Sequence, residues 1–213
     1  MTELLVRCDD AGASAGTNRA IRACVAKGSA RNVSIMAVAP AFEDLTAGGP
    51  IPACCGVHAT INSEWDAPRW GPLTAARSLI EGDGSFRRFP NEHQETGFDL
   101  EEIKSEIAAQ IAKVRAAGFE PQYLDEHMGF SWLPGVRDVL SELAQREGLV
   151  YAPSPSIELK VFHPSEDDAD SRRWIHKGLA PGSIAQERAA ETAYLLSESW
   201  PERKLIAYAE LTP

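Results

Sequence analysis

Tyr123-Leu124-Asp125-Glu126-His127-Met128-Gly129 opens on two apolar residues and breaks at once into carboxylate and imidazole side chains. Two earlier stretches have the same character: Arg7-Cys8-Asp9-Asp10-Ala11-Gly12 and Gly56-Val57-His58-Ala59-Thr60. Each reads as a strand end that carries metal-ligand chemistry. In an α/β barrel the carboxyl ends of all strands open onto one face, so ligands far apart in sequence can converge on one ion.

Working outward, strand and helix signals alternate. Leu4-Leu5-Val6 starts a first strand, and residues 17–26 place Ala20, Ile21, Cys24 and Val25 at helical spacing before Gly28. Residues 32–38 read as a strand, 41–47 as a short helix and 54–61 as a third strand. Residues 62–97 form a long irregular stretch, and loops of that length inside a domain are usually functional or mobile. Asp99 caps an amphipathic helix to Ala117 with Ile103, Ile107, Ile111 and Val114 in register. A strand at Tyr123-Leu124 follows, then a helix over 134–146 with Pro134 in its first turn and Gly148 after it. Leu149-Val150-Tyr151 and 157–162 read as strands, 184–197 as a helix and 205–209 as a last strand. Repeated βα units predict an α/β fold with parallel strands and helices outside, in a single domain over 1–213.

Composition narrows the partners. The chain has 213 residues, 44% hydrophobic, with a net charge of -10 and no Lys/Arg cluster. Nucleic acid and anionic membrane surfaces are therefore poor partners. No apolar run is long enough to span a bilayer, and the first residues lack a basic start and apolar stretch, so a cytoplasmic protein is expected. Cys8, Cys24, Cys54 and Cys55 form no paired Cys-x-x-Cys elements, which points away from a disulfide framework or a cysteine zinc site. A homodimer is the commonest assembly and is expected on that ground alone.

Asp9 and Asp10 repel if both are ionised, and a divalent cation relieves that repulsion. The plain alternative is a solvated turn. His58 follows a strand-like pair and reads either as a ligand or as a satisfied core histidine. Asp125 and His127 are two apart, so on an extended segment they share a face, and Asp125 can orient a ligand imidazole. Phe162-His163-Pro164 is a fourth strand end with histidine. His93 and His176 sit in polar stretches and read as surface residues. Trp65 and Trp70 follow the third strand and read either as lining for a sugar face or as packing for the loop.

At this point the sequence resembles the YdjC-like carbohydrate deacetylases. The matching runs are Arg7-Cys8-Asp9-Asp10-Ala11-Gly12, Asn18-Arg19-Ala20-Ile21, Gly56-Val57-His58, Ser63-Glu64-Trp65, Arg69-Trp70-Gly71-Pro72-Leu73, Leu124-Asp125-Glu126-His127-Met128-Gly129 and Phe162-His163-Pro164. The resemblance implies a distorted (β/α) TIM-like barrel with one divalent metal ion, zinc or magnesium, and an N-acetylated sugar or oligosaccharide as substrate. It implies Asp10, His58 and His127 as ligands and Asp9 as the general base on the attacking water. His163 becomes an acid or an electrostatic partner of the developing charge, Asp125 a support beside His127, and Trp65, Trp70 and Asn18 substrate-binding residues. Backbone N–H groups near Gly12 are expected to help hold the oxyanion. Ala11 and Ala59 depart from the family pattern, which has an aromatic and a leucine there; the chain is also shorter than usual in the family. A metal-dependent phosphoesterase and a non-catalytic metal or sugar binder are the competing functions.

Overall fold

The computed structural model describes residues 3–152, 204–205 and 207–210. Five parallel strands form one sheet in chain order: β2 (Arg7–Ala11), β3 (Asn32–Ile35), β4 (Cys54–Ala59), β5 (Tyr123–Glu126) and β6 (Val150–Tyr151). A second parallel pair joins β1 (Glu3–Leu4) to β7 (Lys204–Leu205), which brings the late chain back beside the first strand. Helices fill the crossovers: α1 (Ala15–Ala26) after β2, α2 (Phe42–Ala47) after β3, α3 (Pro90–Thr96) and α4 (Leu100–Ala116) after β4, and α5 (Val136–Glu147) after β5. This is the βα order of a distorted TIM-like barrel, and the described strands make an arc that stops short of a closed ring.

Local sequence explains the elements. Ser14 caps α1 by accepting from the Thr17 N–H, and Asp99 caps α4 by accepting from Glu101 and Glu102. Ile103, Ile107, Ile111 and Val114 are the buried stripe of α4, as their spacing predicts. Gly148 ends α5 at a φ of 69°, where a side chain is disfavoured. Several expectations are adjusted, among them the strand expected over 32–38, which ends at Ile35. The first strand breaks at Leu5–Val6, the helix expected from Pro134 starts at Val136, and the late strand is Lys204–Leu205 with a 3₁₀ turn at Tyr208–Glu210. The stretch 62–97 also holds α3, where Pro90 occupies the first turn and the Glu92 carboxylate accepts from the N–H groups of Arg88 and Phe89. The expected strand at 157–162, the helix at 184–197, His163 and His176 lie outside the described residues.

Period-two alternation sorts the strand side chains into two populations. Val33 and Ile35, Cys55 and Val57, and Leu124 join an apolar core with Ile21, Leu45, Ile103, Ile107, Ile111 and Leu140 of the helices. The intervening residues carry the chemistry: the register sets Ser34 beside Gly56 and Gly56 beside Tyr123, and two residues on it sets His58 beside Asp125. Gly56 is required there, because a Cβ at that position would overlap the Tyr123 ring. Tyr123 in turn stacks on Tyr208, with ring centroids 4.1 Å apart.

The long β4–α4 connection is tied down by buried polar groups. Glu106 of α4 accepts from the N–H groups of Leu73 and Thr74, from the Thr74 hydroxyl and from the Gln110 amide. Gln110 also pairs with both backbone groups of Thr60, just past β4. One charged side chain and one amide thereby satisfy backbone that would otherwise be buried without partners.

Candidate metal centre

Consecutive strand residues normally face opposite sides of a sheet, so Asp9 and Asp10 need a break in the alternation to serve one site. The β2–β3 register shifts between Cys8 and Ala11, and Asp10 takes a φ of 60°. This bulge turns the Asp10 carboxylate toward the imidazoles of β4 and β5. Aspartate is among the residues that tolerate the left-handed region, whereas Met128, also left-handed at a φ of 59°, is not. Both outliers flank the centre, the pattern expected where backbone strain is held at a functional site.

Asp10 Oδ1 lies 3.3 Å from His58 Nε2 and 2.9 Å from His127 Nδ1. The two imidazoles sit edge to face with centroids 5.3 Å apart. One ligand atom from each of Asp10, His58 and His127 lies within 4.8 Å of the others, and all three residues are buried. A carboxylate with two imidazoles is a donor set that suits a divalent ion.

The far side of each imidazole is also engaged. His58 Nδ1 lies 2.9 Å from Asp125 Oδ2, and His127 Nε2 lies 3.0 Å from Glu64 Oε2. Ligand histidines are typically oriented in this way, by a carboxylate on the nitrogen that does not face the ion. Burial works against a charge on His58, but Asp125 and Asp10 outweigh it and push its pKa up to about 10. Burial likewise opposes a charge on His127, and Asp10 and Glu64 outweigh it, so that pKa is raised too. The carboxylates around the two imidazoles thus favour protons on the nitrogens that a metal would use.

Asp9 is partly exposed and is gripped through both oxygens by Arg7, at 2.5 and 2.9 Å. Arg7 Nη1 also reaches Asp125 at 2.8 Å. Burial opposes the guanidinium charge, and Asp125 and Asp9 more than restore it, holding the pKa above its ordinary value.

The structure therefore brings together Asp9, Asp10, His58, Asp125 and His127 from three strands. Asn18 is buried and uses its amide inside the fold: it accepts from the Gly12 N–H at 2.7 Å and donates to Ala41 O and Asp44. That bond also engages the Gly12 N–H expected for the oxyanion, so Gly12 shapes the turn at the end of β2. Trp70 is buried, with its indole N–H on Asn62 O, and Trp65 packs on it edge to face at 5.3 Å. The Trp65 indole N–H meets no acceptor among the described residues. Ala11 and Ala59 are fully buried in the apolar core.

One histidine departs from expectation. His93 is fully buried: its Nε2–H donates to Ile61 O at 2.9 Å, and Nδ1 faces Arg87 at 3.3 Å. The surrounding sequence is polar because only one face of α3 is covered, and His93 lies on that face. Burial pushes its pKa down. Sequence reasoning assigned no role to Glu64 or to Arg7, although both lie within stretches singled out for other residues. What it lacked was the pairing partner, which only the fold supplies.

The fold and the centre together define an α/β protein with a candidate metal site at the carboxyl ends of parallel strands. The sequence matches the family described as YdjC-like protein over residues 3–161, and the chain belongs to that family. It is 37% identical over 103 residues to a carbohydrate deacetylase of Thermus thermophilus, covering 48% of this chain and 38% of that protein. It is 30% identical over 168 residues to a carbohydrate deacetylase of Thermoanaerobacter pseudethanolicus, covering 76% of this chain and 64% of that protein. The chain thus spans under two thirds of the length of these relatives. A crystal structure from Enterococcus faecalis, of a protein described as a candidate for cellobiose-phosphate cleavage, aligns with a TM-score of 0.63 at 19% identity. That alignment covers 97% of this chain and 80% of the other, and it supports the fold.

Proposed function

We propose that this chain hydrolyses the acetamido group of an N-acetylated sugar or oligosaccharide, with one divalent ion, zinc or magnesium, held by Asp10, His58 and His127. The observation that carries the reading is the buried Asp10–His58–His127 group, with Asp125 and Glu64 behind the two imidazoles. The naming of its relatives as carbohydrate deacetylases supports the substrate class. When bound, such an ion supplies a Lewis acid that polarises the amide carbonyl and makes hydroxide accessible near neutral pH.

The remaining work belongs to side chains. Asp9, beside the ligands but not one of them, takes the proton from the attacking water. Arg7 holds that carboxylate in place. Asp125 and Glu64 fix the rings of His58 and His127. His163 gives a proton to the departing amine, so acetate and a free amino sugar leave. Trp65 offers its indole face to the sugar, Trp70 supports it from behind, and Asn18 holds the Gly12 turn.

Acetate release from N-acetylglucosamine oligomers tests this, using metal-stripped protein reloaded separately with zinc, magnesium, manganese or cobalt. Metal-dependent release that disappears in Asp9→Asn is the expected result. Protein that binds the ion yet releases no acetate with any metal overturns the activity. Turnover of a phosphodiester in its place would make the centre a phosphoesterase.

A further inference from the structure

Two groups of potential metal ligands overlap at His58: Asp10, His58 and His127, and Asp9, His58 and Asp125. The second group already contains a cation. Arg7 Nε and Nη2 bind the two oxygens of Asp9 at 2.5 and 2.9 Å, and Nη1 lies 2.8 Å from Asp125 Oδ2. Nη1 also donates to the Tyr208 hydroxyl at 3.2 Å. That same Asp125 oxygen is 2.9 Å from His58 Nδ1 and accepts from the Ser34 hydroxyl at 3.1 Å. Asp125 is 1% exposed, and its other oxygen, Oδ1, meets no donor among the described residues. A buried carboxylate oxygen without a donor is costly unless a positive charge stands nearby. Arg7 is the positive charge that stays in contact with Asp125 at any ordinary pH, whereas the His58 charge depends on pH and on the ion.

We propose that Arg7 is a positioning residue whose guanidinium is the built-in cation of the second group: it clamps Asp9 and Asp125 together and limits the centre to a single divalent ion. The inference rests on the reading of Asp10, His58 and His127 as a metal centre. A guanidinium suits the task because its planar fork matches both oxygens of one carboxylate while a further N–H reaches another, and it stays charged at any ordinary pH. A lysine supplies the charge as a single point and cannot hold three oxygens at once. With the cation removed, Asp9 and Asp125 repel across the imidazole, and a second divalent ion relieves that repulsion.

The test counts bound zinc per chain by native mass spectrometry and equilibrium dialysis, alongside acetate release. The wild type is expected to bind one ion, Arg7→Met two, and the double variant Arg7→Met/Asp9→Asn one again. Arg7→Lys is expected to bind one ion, with kcat lower by about a hundredfold from a misplaced base and KM changed by less than about threefold. A single zinc at wild-type affinity in Arg7→Met overturns the proposal, as does wild-type kcat in Arg7→Lys. If Arg7→Met does not fold, Arg7→Gln carries the ion count and Arg7→Lys the positioning role. Failure of the underlying reading shows in the wild type, as no bound zinc or no acetate. Failure of this inference shows as a second zinc in the wild type or as unchanged behaviour of the Arg7 variants, with acetate release by the wild type intact.

Discussion

Metal loading of this centre should expel protons, and the geometry sets how many. His58 faces Asp10 on one side and Asp125 on the other, and its pKa is pushed up to about 10. His127 stands between Asp10 and Glu64 and is raised as well. At about pH 7 the His58 ring is protonated in metal-free protein and His127 is biased toward its charged form, so an ion that uses these nitrogens must displace protons. For His58 alone, about three pH units at about 1.4 kcal/mol each make that displacement cost about 4 kcal/mol at neutral pH. Apparent affinity should therefore rise about tenfold per pH unit for each proton expelled, giving a slope between about one and about two from about pH 6.5 to about pH 8.5. Zinc titrations against a competing chelator give the slope, and calorimetry in two buffers of different ionisation enthalpy counts the protons. The sign for stability is opposite. A histidine raised in the folded state stabilises the metal-free protein fully below its unfolded pKa near 6.5, and that stabilisation is lost as pH rises toward about 10. The melting temperature of metal-free protein should fall over that range while metal affinity climbs. A pH-independent affinity with no protons released would refute the assignment of both imidazoles as ligands.

Four further outcomes follow from the packing. Gly56→Ala drives a methyl into the Tyr123 ring and should cost about 1–3 kcal/mol in chemical denaturation, with loss of the Ser34–Tyr123 bond. Glu106→Ala leaves the N–H groups of Leu73 and Thr74 without their acceptor. It should lower stability by about 2–4 kcal/mol and open that connection to limited proteolysis. Glu64→Gln should weaken metal binding about 10–100-fold, read by the same chelator competition, and should lower the melting temperature of metal-free protein near neutral pH, because Glu64 favours the charged His127 ring. His93 is held neutral by burial, so stability should decline as pH falls below about 6.5, where the unfolded chain takes up a proton that the fold refuses. His93→Gln should flatten that acid limb of the melting curve.

Much of this centre is legible in the amino-acid sequence alone. Asp9, Asp10, His58, Asp125 and His127 stand at strand ends, and parallel strands bring their carboxyl ends to one face whatever the details of packing. The stripe on α4 and its Asp99 cap are equally plain, because helix periodicity and capping are local properties. His93 is misread for the complementary reason: burial depends on what covers a residue, and its neighbours in sequence, Asn91, Glu92 and Gln94, do not report that α3 folds its other face onto the end of β4.

Local pattern thus accounts for the βα order of the described elements, for the Asp99 start of α4 and the Gly148 end of α5, and for which residue types could act as ligands. Three-dimensional packing is what makes a bulge at Asp10 put two adjacent carboxylates on one site, and what places Glu64 behind His127 and Arg7 between Asp9 and Asp125. Those are relations between side chains separated by as much as 118 positions in the chain, from Arg7 to Asp125. A contact of that kind follows from strand register and barrel curvature, and neither is written in any local pattern.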